Sequence, residues 1–269
     1  MSFHENRGRL YAAPPGLPPV ESIRPTASLT RLPMSTPLLA PPSAQDVHVW
    51  QWDLDIRAGD FDRYWEMLSA QERERAGKFR FERHRRRFVA GRGELRELLS
   101  RYLALSPQAV ALGYGQEGKP FCLSQPSGWT ICFNLSHSEN KAALAISNGF
   151  EVGIDVERVR PIEENLPLEV FSTRERAQFG ALPDAERQPV FFETWARKEA
   201  CLKALGTGFI RPPTYFEFDL SIHGDTTPLF VGGETREAAQ WRVRALSSGE
   251  ACAGAVAARR ADWSIVEMN

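Results

Sequence analysis

Ala142-Ala143-Leu144-Ala145-Ile146-Ser147-Asn148-Gly149-Phe150-Glu151-Val152-Gly153-Ile154-Asp155-Val156-Glu157 is the stretch from which the fold is read. Ala142–Ser147 and Phe150–Glu157 read as strands, and the Asn-Gly pair between them predicts a hairpin with a type I′ turn. On a strand, Asp155 and Glu157 stand two apart and leave the same face. Two carboxylates on one face repel unless a cation lies between them. A hard cation such as Mg²⁺ takes oxygen ligands and keeps room for substrate phosphates. The pair therefore points to a magnesium site for a phosphate-bearing substrate. The plainer alternative is a solvent-facing edge whose acids pair with Arg158 and Arg160.

Downstream, Ser172-Thr173-Arg174-Glu175-Arg176 precedes a helix predicted over about Pro189–Leu205, which Gly206 closes as its C′ residue. Strands are expected near Tyr215–Ser221, Trp241–Leu246 and Ala251–Ala257. Upstream, Val47–Leu54 alternates like a strand. A short helix near Asp60–Leu68 follows, then Ser69 with Glu72 as a capping-box pattern, then an amphipathic helix over about His84–Leu103. Ser69-Ala70-Gln71-Glu72-Arg73 and Ser172-Thr173-Arg174-Glu175-Arg176 mark an internal duplication of about one hundred residues, too long for a solenoid. The expected fold class is α+β, as two similar α/β halves: 46–150 and 151–269, with a ligand cleft where they join. Residues 1–45 hold nine of the 19 prolines, Pro14 to Pro42, with no periodicity, and are expected to form a disordered tail.

The chain has 269 residues, 42% hydrophobic and 25% charged, with a formal net charge of −1. These are values of an ordinary globular protein, and the charge implies no general affinity for nucleic acid. No apolar run approaches the ~20 residues of a membrane span, and Met1–Arg9 does not open a secretory signal. Cys122, Cys132, Cys201 and Cys252 are scattered and read as free thiols in a reducing, cytoplasmic compartment.

Glu199 and Lys203 are four apart on the predicted helix and share a face. In an isolated helix they would be an ordinary surface pair, but Phe191, Trp195 and Leu202 on the apolar side put Glu199 at the rim of the core. Ser136 and His137 are neighbours in an extended segment and point to opposite faces, so they cannot act as a nucleophile–base pair. Nor is there a G-x-S-x-G elbow. Lys119 stands in a Gly118-Lys119-Pro120 turn. Arg75 and Arg87 belong to an arginine-rich stretch, and guanidinium suits phosphate by bidentate bonding.

Asn134-Leu135-Ser136-His137-Ser138, then Gly153-Ile154-Asp155-Val156-Glu157, then Trp195-x-x-Lys198-Glu199-Ala200-x-x-Lys203 resemble, in order and spacing, the 4′-phosphopantetheinyl transferases. The long, surfactin-activating type is the nearest pattern, over roughly residues 46–260. The resemblance implies the pseudo-twofold fold of that family. It also implies transfer of the 4′-phosphopantetheine group of coenzyme A to a serine of an apo acyl or peptidyl carrier protein, giving 3′,5′-ADP. It makes Asp155, Glu157 and Glu199 the Mg²⁺ ligands, with Glu199 also accepting the serine proton. Lys203 would hold the pyrophosphate. Ser136 and His137 would meet the 3′-phosphate, His137 also assisting proton movement. Lys119, Arg87 and Arg75 would grip phosphates. Glu72 departs from relatives with a basic residue there. The duplicated halves suggest that a monomer holds a complete site. A non-catalytic coenzyme A or carrier-binding module has no need of the acids and Lys203. A Mg²⁺-dependent nucleotide hydrolase lacks its P-loop.

Overall fold

The computed structural model describes residues 37–115, 118–163, 165–206, 211–249 and 251–269. In chain order it has β1 (Asp46–Asp53), α1 (Ala58–Met67), α2 (Ala70–Gly77) and α3 (Glu82–Leu103), then a 3₁₀ turn at Pro107–Ala109. Strands β2 (Leu112–Tyr114), β3 (Pro120–Cys122), β4 (Ile131–Ser138), β5 (Lys141–Asn148) and β6 (Val152–Arg158) follow. Next come α4 (Leu166–Val170), α5 (Thr173–Ala181), α6 (Asp184–Leu205) and a 3₁₀ turn at Pro213–Tyr215. The chain ends with β7 (Phe216–Glu217), β8 (Phe230–Val231), α7 (Thr235–Ala238), β9 (Arg242–Ala245), β10 (Cys252–Ala258) and β11 (Ser264–Glu267).

These elements form two compact units. The first contains residues 37–41 and Trp52–Ile131, the second Pro42–Gln51 and Cys132–Asn269. β4 and β5 go with the second unit because they share a four-stranded sheet, order β11-β1-β5-β4, in which β1 pairs with β11.

Each unit carries the same buried device, and here the duplication is physical. Ser69 caps α2 and Ser172 caps α5, each with a reciprocal capping box to Glu72 or Glu175. Such a box satisfies two orphan backbone N–H groups at once. Each glutamate is then buried against a cation at the fifteenth position of a 22-residue helix. Arg96 Nε donates to Glu72 Oε2 at 2.6 Å, and its NH1 to the carbonyls of Pro107 and Val110. Lys198 Nζ donates to Glu175 Oε2 at 2.6 Å and to the carbonyls of Pro213 and Phe216. In both units one cation joins the cap, the long helix and the 3₁₀ turn that follows. Burial pulls the Lys198 pKa down, opposed by Glu175. The three ammonium N–H groups all find acceptors, the condition under which a buried charge is tolerated. Both long helices also end in the left-handed region, at Ala104 (φ 55°) and Gly206 (φ 69°).

In the second unit the three-stranded sheet, order β6-β10-β9, has apolar material on both faces. Val152, Ile154, Val156 and Val256 cluster with Val47, Val49, Ala143 and Ala145 of the four-stranded sheet. Ala255 and Ala257, on the other face, cluster with Ala196, Ala200 and Ala204 of α6 and with Phe216, Phe218 and Trp241. α6 approaches β6 closely at Gly153. A Cβ there would meet the Ala200 carbonyl oxygen at 2.0 Å and the Ala204 nitrogen at 2.5 Å.

Four expectations are corrected. β5 and β6 do not form a hairpin: β6 pairs with β10, with Asp155 opposite Ala255. Gly149 has φ 78° but Asn148 is not in the positive-φ region, so the type I′ turn, which needs both, is not made. α6 begins at Asp184 and carries Pro189 inside it; the proline removes one N–H near the helix start. Strand β11 closes the first sheet by pairing with β1 across the whole chain, a long-range contact invisible to local pattern. Finally, the end of the expected tail is tied down. The Leu39 N–H donates to the Arg101 carbonyl and Arg101 Nε to the Pro37 carbonyl. Asn148 donates to the carbonyl of Pro42, itself buried. Residues 1–36 lie outside the described residues.

Candidate active site

β6 is the edge strand of its sheet, and an edge leaves alternate backbone N–H groups without ladder partners. Here side chains of β4 supply them. The Ile154 N–H donates to Asn134 Oδ1 at 2.9 Å, Val156 to Ser136 Oγ at 3.3 Å and Arg158 to Ser138 Oγ at 3.0 Å. Asn134, Ser136 and Ser138 are spaced by two, so one face of β4 meets one edge of β6.

The two serines then turn back to the acids. Ser136 Oγ donates to Asp155 Oδ1 at 2.9 Å, and Ser138 Oγ to Glu157 Oε2 at 3.3 Å. Helix α6 supplies the other side. Lys203 Nζ donates to Asp155 Oδ1 at 2.6 Å, to Ser136 Oγ at 2.9 Å and to the Ile154 carbonyl at 3.2 Å. Two turns toward the helix start, Trp195 Nε1 donates to Glu157 Oε1 at 3.2 Å. Asp155 and Glu157 are 1% and 2% exposed. The solvent-facing alternative is therefore excluded, and the shared face of the two acids is the one packed on α6. A buried carboxylate needs compensation, and Lys203 provides it for Asp155. The Asp155 Oδ2 atom is buried with no hydrogen-bond partner among the described residues.

The expected site residues are distributed as follows. Ser136, Asp155, Glu157 and Lys203 form the polar cluster just described. Glu199 is half-buried on α6, one turn before Lys203. Lys203 reaches across to β6 and pairs with Asp155. His137 is half-buried on β4, between the serines. Among the described residues no three His, Cys, Asp or Glu side chains are gathered so as to hold a metal ion. Asp155 and Glu157 stand on β6, and Glu199 on α6, the helix that approaches β6 at Gly153. Lys119 precedes β3, after Gly118 at φ 78°. Arg75 lies in the last turn of α2 with its guanidinium 5.3 Å from the centre of the Phe88 ring. Arg87 makes a two-pronged pair with Asp55, Nε to Oδ1 at 2.7 Å and NH2 to Oδ2 at 2.9 Å. That pair holds the Asp55 carboxyl below the usual range, chiefly through the Arg87 hydrogen bond. Glu72, the departure noted from sequence, is occupied with Ser69 and Arg96 inside the fold. Trp195 is a core residue, stacked on Phe191, yet it also touches an acid. The roles of Asn134, Ser138 and Asp55 were missed. The period-two polar residues on an otherwise apolar strand were the available signal for the first two.

Comparison with known proteins gives the family. A family profile described as the 4′-phosphopantetheinyl transferase superfamily matches residues 151–257, and one for the 4′-phosphopantetheinyl transferase N-terminal region matches residues 51–148. The 4′-phosphopantetheinyl transferase HetI of Nostoc sp. strain PCC 7120 is 35% identical over 222 residues, covering 82% of this chain and 90% of that protein. The chain belongs to the 4′-phosphopantetheinyl transferase superfamily. A 4′-phosphopantetheinyl transferase of Bacillus subtilis is 27% identical over 172 residues, 64% of this chain and 75% of that one. The transferase AcpT of Salmonella typhimurium is 40% identical over 113 residues, 41% and 56% of the two chains. The protein is accordingly an enzyme that transfers the 4′-phosphopantetheine group of coenzyme A to a serine of a carrier protein, releasing 3′,5′-ADP. Within this transferase, the superfamily profile match spans β6 and α6, the elements that carry Asp155, Glu157 and Lys203.

Proposed function

We propose that this transferase is of the surfactin-activating type, works with Mg²⁺, and runs its chemistry on the β6–α6 cluster. The observation that carries the reading is the Asp155 carboxylate. Ser136 and Lys203 fix one oxygen, and the other is buried without a hydrogen-bond partner among the described residues. An unpartnered buried carboxylate oxygen is costly unless a cation or donor arrives with the substrate. The donors nearby are carboxylates, which suit a hard divalent ion. Asp155, Glu157 and Glu199 would hold Mg²⁺. When bound, the ion supplies charge neutralisation for the pyrophosphate of coenzyme A and its leaving group.

The remaining steps belong to the protein's own residues. Lys203, partly exposed, presents its ammonium toward the pyrophosphate. Glu199 takes the proton of the carrier serine as its oxygen attacks the β-phosphate, directly or through water. Ser136 and His137 meet the 3′-phosphate, and Arg75, Arg87 and Lys119 add phosphate contacts. Positioning and fixed charge, rather than a covalent enzyme intermediate, carry the rate. Matches to both halves of the chain support the long type. No described helix is long and apolar enough to cross a membrane; a cytoplasmic, monomeric enzyme acting on acyl, peptidyl or polyketide carriers is proposed.

The test is a panel of apo carrier proteins incubated with coenzyme A and enzyme stripped by a chelator. Turnover should return with added Mg²⁺. Full activity in excess chelator would contradict the metal reading.

A further inference from the structure

The β4 serines do two things with one hydroxyl. A hydroxyl has one donor and two acceptor sites. Ser136 accepts from the Val156 N–H and donates to the carboxylate of Asp155. Ser138 accepts from the Arg158 N–H and donates to the carboxylate of Glu157. The pattern is the same one step along the strand: each serine seals an edge N–H and aims the acid of the preceding residue. On Glu157 the second oxygen is held as well, by the indole N–H of Trp195 from α6. The acid is therefore gripped from a sheet on one side and a helix on the other, with little freedom to turn.

We infer that Ser138 and Trp195 are positioning residues that fix the Glu157 carboxylate for its ligand, with Ser138 tying that orientation to the backbone edge of β6. The inference rests on the reading of Glu157 as a cation ligand. Groups that orient a ligating carboxylate through hydrogen bonds act on affinity without touching the ion, and losing one typically costs roughly 10–100-fold in metal affinity. Ser138→Ala removes both bonds of the hydroxyl, while Ser138→Thr keeps the hydroxyl on a residue well suited to a strand. Trp195→Phe keeps most of the ring packing and deletes only the N–H donor.

The experiment is a Mn²⁺ titration of the full chain with coenzyme A and no carrier protein, read by the electron spin resonance of free Mn²⁺, so that no turnover intervenes. Ser138→Ala is expected to weaken Mn²⁺ binding at least about tenfold, Ser138→Thr to restore it to within about twofold, and Trp195→Phe to weaken it like Ser138→Ala. If Ser138→Ala does not fold, Trp195→Phe alone decides. Glu157→Gln is the control that separates two failures. If it weakens binding while Ser138→Ala and Trp195→Phe do not, the positioning role is overturned and the metal reading stands. If Glu157→Gln leaves binding unchanged, the metal reading falls and the positioning role with it. Failure of a folded Ser138→Thr protein to recover affinity also overturns the inference.

Discussion

The Lys203 ammonium lies 2.6 Å from Asp155 Oδ1, with Asp155 1% exposed and the lysine side chain 28% exposed. The lysine thus has one end in a buried ion pair and a way out to solvent. Lys203→Ala would leave the Asp155 charge with Ser136 alone. Because solvent reaches the lysine, the stability cost should fall between the ~1 kcal/mol of an exposed pair and the ~3–5 kcal/mol of a broken buried one. Turnover should fall further, on the order of 10²–10³ in kcat, as for other preorganised charge contacts. Thermal unfolding and steady-state kinetics on one preparation check both. A rate within a few-fold of the parent would make the pair structural only.

Glu199 tests the proton-transfer role. Glu199→Gln keeps size and loses charge and basicity, so kcat should drop by roughly 10²–10⁴. Thermal stability should stay close to that of the parent, since the residue is half-buried at the rim of α6. Single-turnover mass spectrometry of the carrier reads the step directly. An unchanged rate removes Glu199 from the chemistry.

Arg87 and Asp55 make a prediction of opposite signs. Phosphates of coenzyme A must share or displace the Asp55 carboxylate to use the Arg87 fork. Arg87→Ala and Lys119→Ala should therefore raise KM for coenzyme A more than for the carrier, while Asp55→Asn should lower it. Asp55 is half exposed, so its loss should cost at most ~1 kcal/mol of stability. Equal changes in both KM values would point to a folding defect.

The duplicated caps predict matched stability losses. Glu72→Gln and Glu175→Gln each break a buried pair, and each should cost about 3–5 kcal/mol. The pH dependence follows from Glu72. Burial raises its pKa, but Arg96 and Arg92 outweigh this, and the net shift is below the ordinary 4.5. A depressed carboxyl contributes stability that is complete above its unfolded pKa and is lost as pH falls through the folded value. The wild type should therefore lose stability more steeply below about pH 4.5 than Glu72→Gln. Chemical denaturation at several pH values measures the difference. Parallel curves would show that the pair is not coupled to folding.

Much of this molecule was legible in its sequence where the signal is local. Ser69 and Ser172 with their glutamates, the long helices and Gly206 are read from residues within a turn of one another. β6 was also recognised, because alternation around Ile154 and Val156 is a short-range pattern. Its partner was not. The Asn-Gly turn argued for β5, whereas β10 wins from a hundred residues away by letting Val256 join Val152, Ile154 and Val156 over one core. The candidate site divides the same way. Asp155 and Glu157 are legible as a pair from their spacing, and Glu199 and Lys203 as neighbours on one helical face, but the contact of Lys203 with Asp155 needs a strand pressed against the helix at Gly153, which no local pattern shows. Asp55 as the partner of Arg87 and Ser138 as the partner of Glu157 depend on tertiary contact alone.

The described end of the proline-rich stretch changes one expectation about truncation. A protein starting at Ala44 would lose the Leu39–Arg101 and Pro37–Arg101 bonds and the buried Pro42. A loss of about 1–2 kcal/mol is expected, or roughly 2–8 °C in Tm for a protein of this size. Differential scanning calorimetry decides; an unchanged Tm would show that these contacts contribute nothing.

The central claim is that the Asp155 carboxylate, held by Ser136 and Lys203, is required for phosphopantetheine transfer and not for the fold. Intact-mass spectrometry of one apo carrier protein, incubated with coenzyme A, Mg²⁺ and either the wild type or Asp155→Asn, tests it most directly. The wild type should convert the carrier fully to the holo form, while folded Asp155→Asn converts it on the order of 10²–10³ more slowly. Conversion by Asp155→Asn at the wild-type rate would contradict the account.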